Sequence, residues 1–275
     1  MNKIMVGEIE KAIEKANAQL CAAGYIVIAI MLYGSQNYGM ATPTSDIDLK
    51  AIIVPSFEDI VHGRKMVSTT IEIDEGLCDV KDIRSMMNCW KKQNVNFVEL
   101  LFTKYRWINP DYEEILQPLF EHREEIVHYD EKHAVNCIRG GMMMEKYHAL
   151  FKPYPAQKEV IEKYGYAAKQ LSHIWRLKDL LVKYIGGYSY EMCLTPDKMT
   201  AKQLIAIKTY EKLYTDMDEV AASGRAAMDI VEGLLKDFTP AMVNEKTGEL
   251  MDKVTADVIR KALKKELMEG EDVTL

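Results

Sequence analysis

Apolar positions near the start of the chain recur at helical spacing: Ile4, Ile9, Ile13, Ala16 and Leu20, with lysines and glutamates between them. This predicts an amphipathic helix over 4–22 that buries one stripe, closed by Gly24. At Tyr25 the pattern changes to a continuous apolar run, too short to be a helix of its own. It predicts a buried strand, Ile26 to Leu32. A loop rich in Gly, Pro and Thr follows, and then Asp46-Ile47-Asp48-Leu49-Lys50-Ala51-Ile52-Ile53-Val54. We read this second stretch as a strand over 46–54, ended by Pro55. Alternate side chains of a strand share a face, which sends Asp46, Asp48 and Lys50 one way and Ile47, Leu49, Ala51 and Ile53 the other.

The same periodicities carry the reading onward. Ser56 is placed to cap a short helix, Phe57 to Val61. The β-branched run Met66 to Ile73, the turn signal Asp74-Glu75-Gly76 and Leu77 to Val80 predict two further strands. From Asp82 onward the spacing is helical: 82–93, a short helix at 97–102 after an Asn94-Val95-Asn96 break, and a helix begun by Asn109-Pro110-Asp111. Further helices are expected over 131–151, 157–185, 196–214, 216–238 and 254–268, with Lys152-Pro153-Tyr154-Pro155 as a breaker. The chain is therefore expected to be α+β: an N-terminal helix, a small mixed β-sheet with helices on one side, and a mostly α-helical C-terminal region.

Composition changes this picture little. With 275 residues, 48% apolar and 28% charged, the chain is long enough for a sizeable core and is not of disordered composition. A formal net charge of −7 argues against a strongly basic nucleic-acid surface overall. The five cysteines are scattered and odd in number, which reads as buried free thiols in a reducing compartment. No apolar run is long enough to span a bilayer, and the N-terminus lacks a signal-peptide pattern. The expectation is a cytoplasmic protein that makes no use of a membrane.

Candidate chemistry concentrates between Gly34 and Lys50. Two carboxylates at i and i+2 on an extended strand lie about 7 Å apart on one face. They repel each other and are costly to desolvate. A divalent cation between them offsets both terms, and oxygen ligands of this kind suit Mg or Mn. The bland alternative makes Asp46 a cap and Asp48 an exposed edge residue. Gly34-Ser35 shifts the balance, because a glycine lets backbone approach a ligand, and amides at a helix start face anions. An anion cradle joined to an acid pair is what nucleoside triphosphate chemistry needs.

Gly34-Ser35, Tyr38-Gly39, Thr42 or Thr44, Ser45-Asp46-Ile47-Asp48 and Lys50 resemble the signature of the DNA polymerase beta nucleotidyltransferase superfamily. The finer form resembles predicted nucleotidyltransferases associated with bacterial and phage RNA repair. The resemblance is specific over 25–54 and extends to segments near 79–102 and 164–186. It implies a catalytic domain over 1–108 and an α-helical domain over 109–275 that completes the active-site cleft. It implies two Mg2+ or Mn2+ ions held by Asp46, Asp48 and a third acid on a neighbouring strand. Asp79 has that strand context, with Glu72, Asp74 and Asp82 as rivals. It also implies an NTP whose phosphates are met by Gly34, Ser35 and Lys50, and a nucleoside monophosphate passed to a hydroxyl with release of pyrophosphate. An RNA or tRNA end is the implied acceptor; a protein, a small molecule, or a catalytically idle nucleotide-binding role are the alternatives.

Residues 151–185 hold seven Lys or Arg against three acids. Lys169, His173 and Arg176, at i, i+4 and i+7, share an arc with Tyr166, Leu180 and Lys183. Stacked cations repel unless an anion lies nearby, and the helix resembles a lysine-histidine-arginine helix of the related family, which implies a clamp on the triphosphate or on the acceptor's phosphates. Glu99, in the apolar run NFVELLF, is expected to pair with Arg84 or Arg106. Met142, Met143 and Met144 are expected in the core.

Overall fold

The computed structural model describes residues 3–43, 45–74 and 76–271. Thr44 and Glu75, both drawn into the sequence reading, lie outside them, as does the side chain of Ile4. The chain is α+β, with an N-terminal helix, a small mixed sheet and a mostly helical C-terminal region.

It divides into two compact units, Met1–Asn37 with Pro43–Tyr129 and Val243–Leu275, and Tyr38–Thr42 with Asp130–Met242. The first unit holds the sheet. Helix α1 (Lys3–Ala22) precedes β1 (Ile26–Tyr33), β2 (Asp48–Val54), α2 (Phe57–Val61), β3 (Ser68–Ile73) and β4 (Gly76–Asp82). Then come α3 (Ile83–Lys91), α4 (Val95–Val98), β5 (Arg106–Ile108), α5 (Glu113–Glu121) and α6 (Arg123–Val127). The strand order is β3-β4-β2-β1-β5, with β2 and β4 parallel and the other pairs antiparallel.

The stripe predicted for α1 is the one buried. Ile9, Ala12, Ile13, Ala16 and Leu20 pack with Val27, Ile30, Leu32, Ile47, Leu49, Ala51, Ile53, Cys78 and Val80. The opposite sheet face is not bare, as an expectation of helices on one side would have it. Phe97 of α4 lies over Lys50, and α3 packs against β2 and β4. Burial on both faces is why β1 reads as a continuous apolar run. Ser56 caps α2 through a reciprocal bond with Asp59, as its position predicted. Strand β5 was not foreseen: three residues are too few to show a period, and pairing with Met31, Ile30 and Ala29 creates it.

The last helix, α14 (Glu245–Glu271), returns to the first unit, where it packs on α5, α3 and β2. It begins nine residues before the predicted 254. Asn244 accounts for the early start, its side chain accepting a bond from the Thr247 amide.

The second unit holds α7 (Glu131–Asn136), α8 (Met144–His148), α9 (Lys158–Tyr164), α10 (Ala168–Ile185), α11 (Tyr190–Leu194), α12 (Lys198–Lys208) and α13 (Met217–Leu235). A π-helical stretch, Cys137–Met143, joins α7 to α8 across Gly140 and Gly141. Of the three consecutive methionines only Met143 is fully buried. The single helix expected over 157–185 is two, because Gly165 adopts φ +79° and ends α9. All five cysteines are free, with Cys21 exposed rather than buried.

Candidate functional site

Register places the candidate groups of the first unit. Lys50 of β2 is opposite Asp79 of β4, which is opposite Thr70 of β3. All three share one face, and they bond in a line. The Lys50 Nζ lies 2.7 Å from Asp79 Oδ2, and Thr70 Oγ1 donates to Asp79 Oδ1 at 2.8 Å. Asp48, two residues before Lys50, falls on the same face, opposite Tyr33 of β1. From these spacings the Asp48 and Asp79 Cα atoms are about 8 Å apart. Asp46 precedes the strand, which starts at 48 and not at 46, and it is exposed.

Lys50 is only 2% exposed. Its ammonium sits 3.8 Å from the centroid of the Tyr33 ring and 4.3 Å from that of Phe97. Aromatic faces attract a cation, and the carboxylate supplies the opposite charge. Burial alone would raise the pKa of Asp79. The Lys50 bond and charge, the Thr70 bond and Lys81 outweigh burial and hold Asp79 below the usual carboxylate range. Tyr33 is pushed the other way: burial raises its phenol, and the charges of Asp48, Asp79 and Glu99 raise it further. Three carboxylates therefore converge on one tyrosine.

The turn beside them is a single 3₁₀ turn, Gly34–Gln36. Gly34 has φ +82°, a conformation strained for any residue with a Cβ. A side chain there would meet Asp48 Oδ2 at 3.9 Å, an ordinary contact, so backbone geometry and not space calls for glycine. The Gly34 amide donates to the buried Glu99 carboxylate at 2.8 Å. The arginine expected for Glu99 is elsewhere. Arg84 is bound by Asp82, the N-cap of α3, and Arg106 lies over Phe120.

The same segment holds the far end of the turn. Thr103 Oγ1 donates to Asn37 Oδ1 at 2.6 Å, and Asn37 Nδ2 donates to Leu32 O at 2.9 Å. Residues 99–103 thus bracket 34–37. That segment is pinned in turn by Trp90, whose indole donates to Phe97 O at 2.8 Å. Gly76, at the start of β4, allows a second close approach. A Cβ there would lie 2.4 Å from the Ile47 carbonyl oxygen. The backbone between Asp46 and Asp48 rests directly on β4 at that point.

No protein-family model matches the chain, and no curated protein matches it. Among solved structures, it is similar to a nucleotidyltransferase-like protein from Exiguobacterium sibiricum. The identity is 14% over 92% of this chain and 80% of that one, with a TM-score of 0.29.

Two of the three rivals of Asp79 are occupied otherwise. Asp82 is fully buried and bound to Arg84, Asp74 is bound to Lys15, and Glu72 is exposed on the edge strand β3. Yet the three acids do not form a metal centre as they stand. Among the described residues no group of three or more His, Cys, Asp or Glu is arranged to hold a metal ion. Both Asp79 oxygens already accept bonds. In these side-chain positions a three-carboxylate, two-ion arrangement would need Asp79 to release Lys50 and Thr70. Among the described residues, no helix is long and apolar enough to cross a membrane.

The second unit carries the cations of α10. Lys169 is exposed, His173 half-buried and Arg176 4% exposed. The arc expected to present its cations to phosphates is partly core: Tyr166 and Leu180 are fully buried. The reason is that α10 packs against both α12 and α13, so it has two covered sides. Arg176 lies 4.1 Å from the centroid of the Tyr38 ring. Tyr38, Met40 and Leu204 form a small apolar cluster backed by Trp175.

Glu99, Tyr33, Thr70 and Phe97 were not singled out from sequence as members of this group. A glutamate inside VELLF, just after an asparagine cap, was the one available signal, because an unpaired carboxylate in an apolar run needs a donor.

Proposed function

We propose that the first unit is a nucleotidyltransferase domain, which moves a nucleoside monophosphate from an NTP to a hydroxyl acceptor. What carries the reading is one juxtaposition: Asp48 and Asp79 on one sheet face, with the positive-φ Gly34 turn directly beside Asp48. Asp46, Asp48 and Asp79 are the proposed catalytic carboxylates, and Gly34, Ser35 and Lys50 the proposed phosphate-binding groups. Lys50, fixed between two rings, places a positive charge where phosphate oxygens would otherwise meet only carboxylates. Asp79, held ionised by that lysine, is a weak base and suits orientation of the acceptor hydroxyl better than removal of its proton.

Mg2+ or Mn2+ is the cofactor this reading implies, since oxygen donors favour hard cations. A two-ion arrangement would require Asp79 to exchange Lys50 and Thr70 for an ion. The acceptor we favour is an RNA or tRNA end, on the resemblance of the Gly34 to Lys50 segment alone. A protein or small-molecule hydroxyl is the competing acceptor.

The test is incubation with each α-labelled NTP, Mg2+ or Mn2+ and total RNA. Label is expected in RNA. Label on protein or small molecules selects the other acceptors, and no transfer to any of them refutes the reading. The double variant Asp46→Asn, Asp48→Asn is expected to lose transfer by at least about a hundredfold while its circular dichroism stays that of the wild type.

A further inference from the structure

A hydroxyl that attacks phosphorus needs a free lone pair, an acceptor for its proton and room for the nucleotide. The sheet face that carries Asp48 and Asp79 holds hydroxyls of its own, and one of them has all three. Thr70 Oγ1 donates to Asp79 Oδ1 at 2.8 Å. That bond uses the proton and leaves the lone pairs of the oxygen unspent. Thr70 is exposed, on β3 at the edge of the sheet, where no further strand covers it.

The neighbouring hydroxyls each lack something. Ser68, two residues back on the same face of β3, accepts a bond from Lys81 Nζ at 2.7 Å, which ties up a lone pair and draws charge from the oxygen. Tyr33 is half-buried with Lys50 against its ring, and three carboxylates around it oppose loss of its proton. Ser35 lies within the turn proposed to take phosphates, on the leaving-group side.

Position across the sheet agrees. The strands run in the order β1, β2, β4, β3. The Gly34 turn follows β1, Asp48 opens β2, Asp79 lies on β4, and Thr70 is directly opposite Asp79 on β3. A triphosphate with its terminal phosphates at the turn and its α-phosphorus at the two aspartates has Thr70 on its far side, one strand spacing of about 5 Å past Asp79. An in-line displacement places its nucleophile there, opposite the leaving group.

We infer that Thr70 is a self-modification site: without an external acceptor, the first unit transfers a nucleoside monophosphate to its own Thr70 Oγ1. This rests on the transfer activity proposed above. The bond formed joins Thr70 Oγ1 to the α-phosphorus. The bond broken joins that phosphorus to the bridging oxygen, and pyrophosphate leaves with the electron pair. The hydroxyl proton passes to Asp79 Oδ1 and from there to water. Orienting the hydroxyl along an existing bond is the role that a weak base such as Asp79 suits. The product is a phosphodiester with one negative charge, on the face that also carries Lys81.

The experiment is incubation of the full chain with each α-labelled NTP and Mg2+ or Mn2+, without RNA, followed by mass mapping of the peptide that spans 66–81. One nucleoside monophosphate is expected on Thr70. Its rate per chain should stay constant over about a hundredfold in protein concentration, as transfer within one chain requires. Thr70→Val keeps the side chain's shape and removes the hydroxyl, and it should lower the label at least about a hundredfold. Thr70→Ser should restore it to within about tenfold, and Ser68→Ala should keep it. The circular dichroism of all three variants should match the wild type. Transfer to added RNA with no adduct at Thr70 would overturn this inference and leave the transferase reading standing. An adduct at Ser68 or elsewhere on the chain, or a rate proportional to protein concentration, would overturn it as well. Label on neither RNA nor the chain, nor on a small molecule, would overturn both.

Discussion

Lys50 brings a full charge into a place where almost none of it meets water, and one carboxylate answers it. Asp79→Asn leaves that ammonium between two rings with only a neutral acceptor. The expected loss is about 2 kcal/mol, seen as a lower urea midpoint with an unchanged m-value. Glu99 poses the converse case. Glu99→Ala strands the Gly34 amide, and about 2 kcal/mol should go with it. Glu99→Gln keeps an acceptor and should cost less than half as much by the same denaturant measurement. His173 supplies a pH signature. Its folded-state pKa lies below that of the unfolded chain. The stability it contributes is therefore complete above about pH 6.5 and lost as pH falls toward 3, because the unfolded chain takes the proton first. Between pH 7 and 5 the wild type should lose about 1–2 kcal/mol more than His173→Gln, in urea titrations at the two pH values.

At the level of elements, Gly76 decides how the acid-bearing loop meets the sheet. A methyl group there collides with the Ile47 carbonyl, a backbone atom that cannot rotate away. Gly76→Ala should cost about 2 kcal/mol and shift the amide resonances of 45–48 more than those of α1. Much of this architecture was legible beforehand. The stripe of α1, the alternation of Ile47, Leu49, Ala51 and Ile53, the Ser56 and Asp82 caps and the hairpin of β3 and β4 all follow from local spacing. They act on neighbours one or two bonds of structure away. What stayed hidden depended on partners far along the chain. Strand β5 exists because β1 has an open edge. Arg176 is buried because α10 is covered on two sides, which a helical projection of one segment cannot show. The Gly34 amide meets Glu99, 65 residues on, and no pattern around Gly34 names that acceptor.

For the whole molecule, the first unit is assembled from separate stretches of chain, and the last of them is structural. Met251, Val254, Val258 and Ala262 of α14 are buried. Phe57 donates its amide to Glu266 at 2.9 Å, and Lys91 reaches Asp252 at 2.6 Å. Four apolar side chains of this kind represent about 6–10 kcal/mol of burial, comparable to the entire stability of a typical domain. A chain ended at residue 242 should therefore lose cooperative unfolding of the sheet, visible as exchange of the β2 and β4 amides within minutes. This also sets an order of events at the ribosome. Residues 130–242 leave the exit tunnel before α14 does, so the helical unit can settle while the nascent sheet still lacks its final cover. Until α14 has emerged, the surface it will occupy is open to chaperones and to other unfinished chains. Emergence of α14, rather than of the strands that carry Asp48 and Asp79, is what completes the first unit.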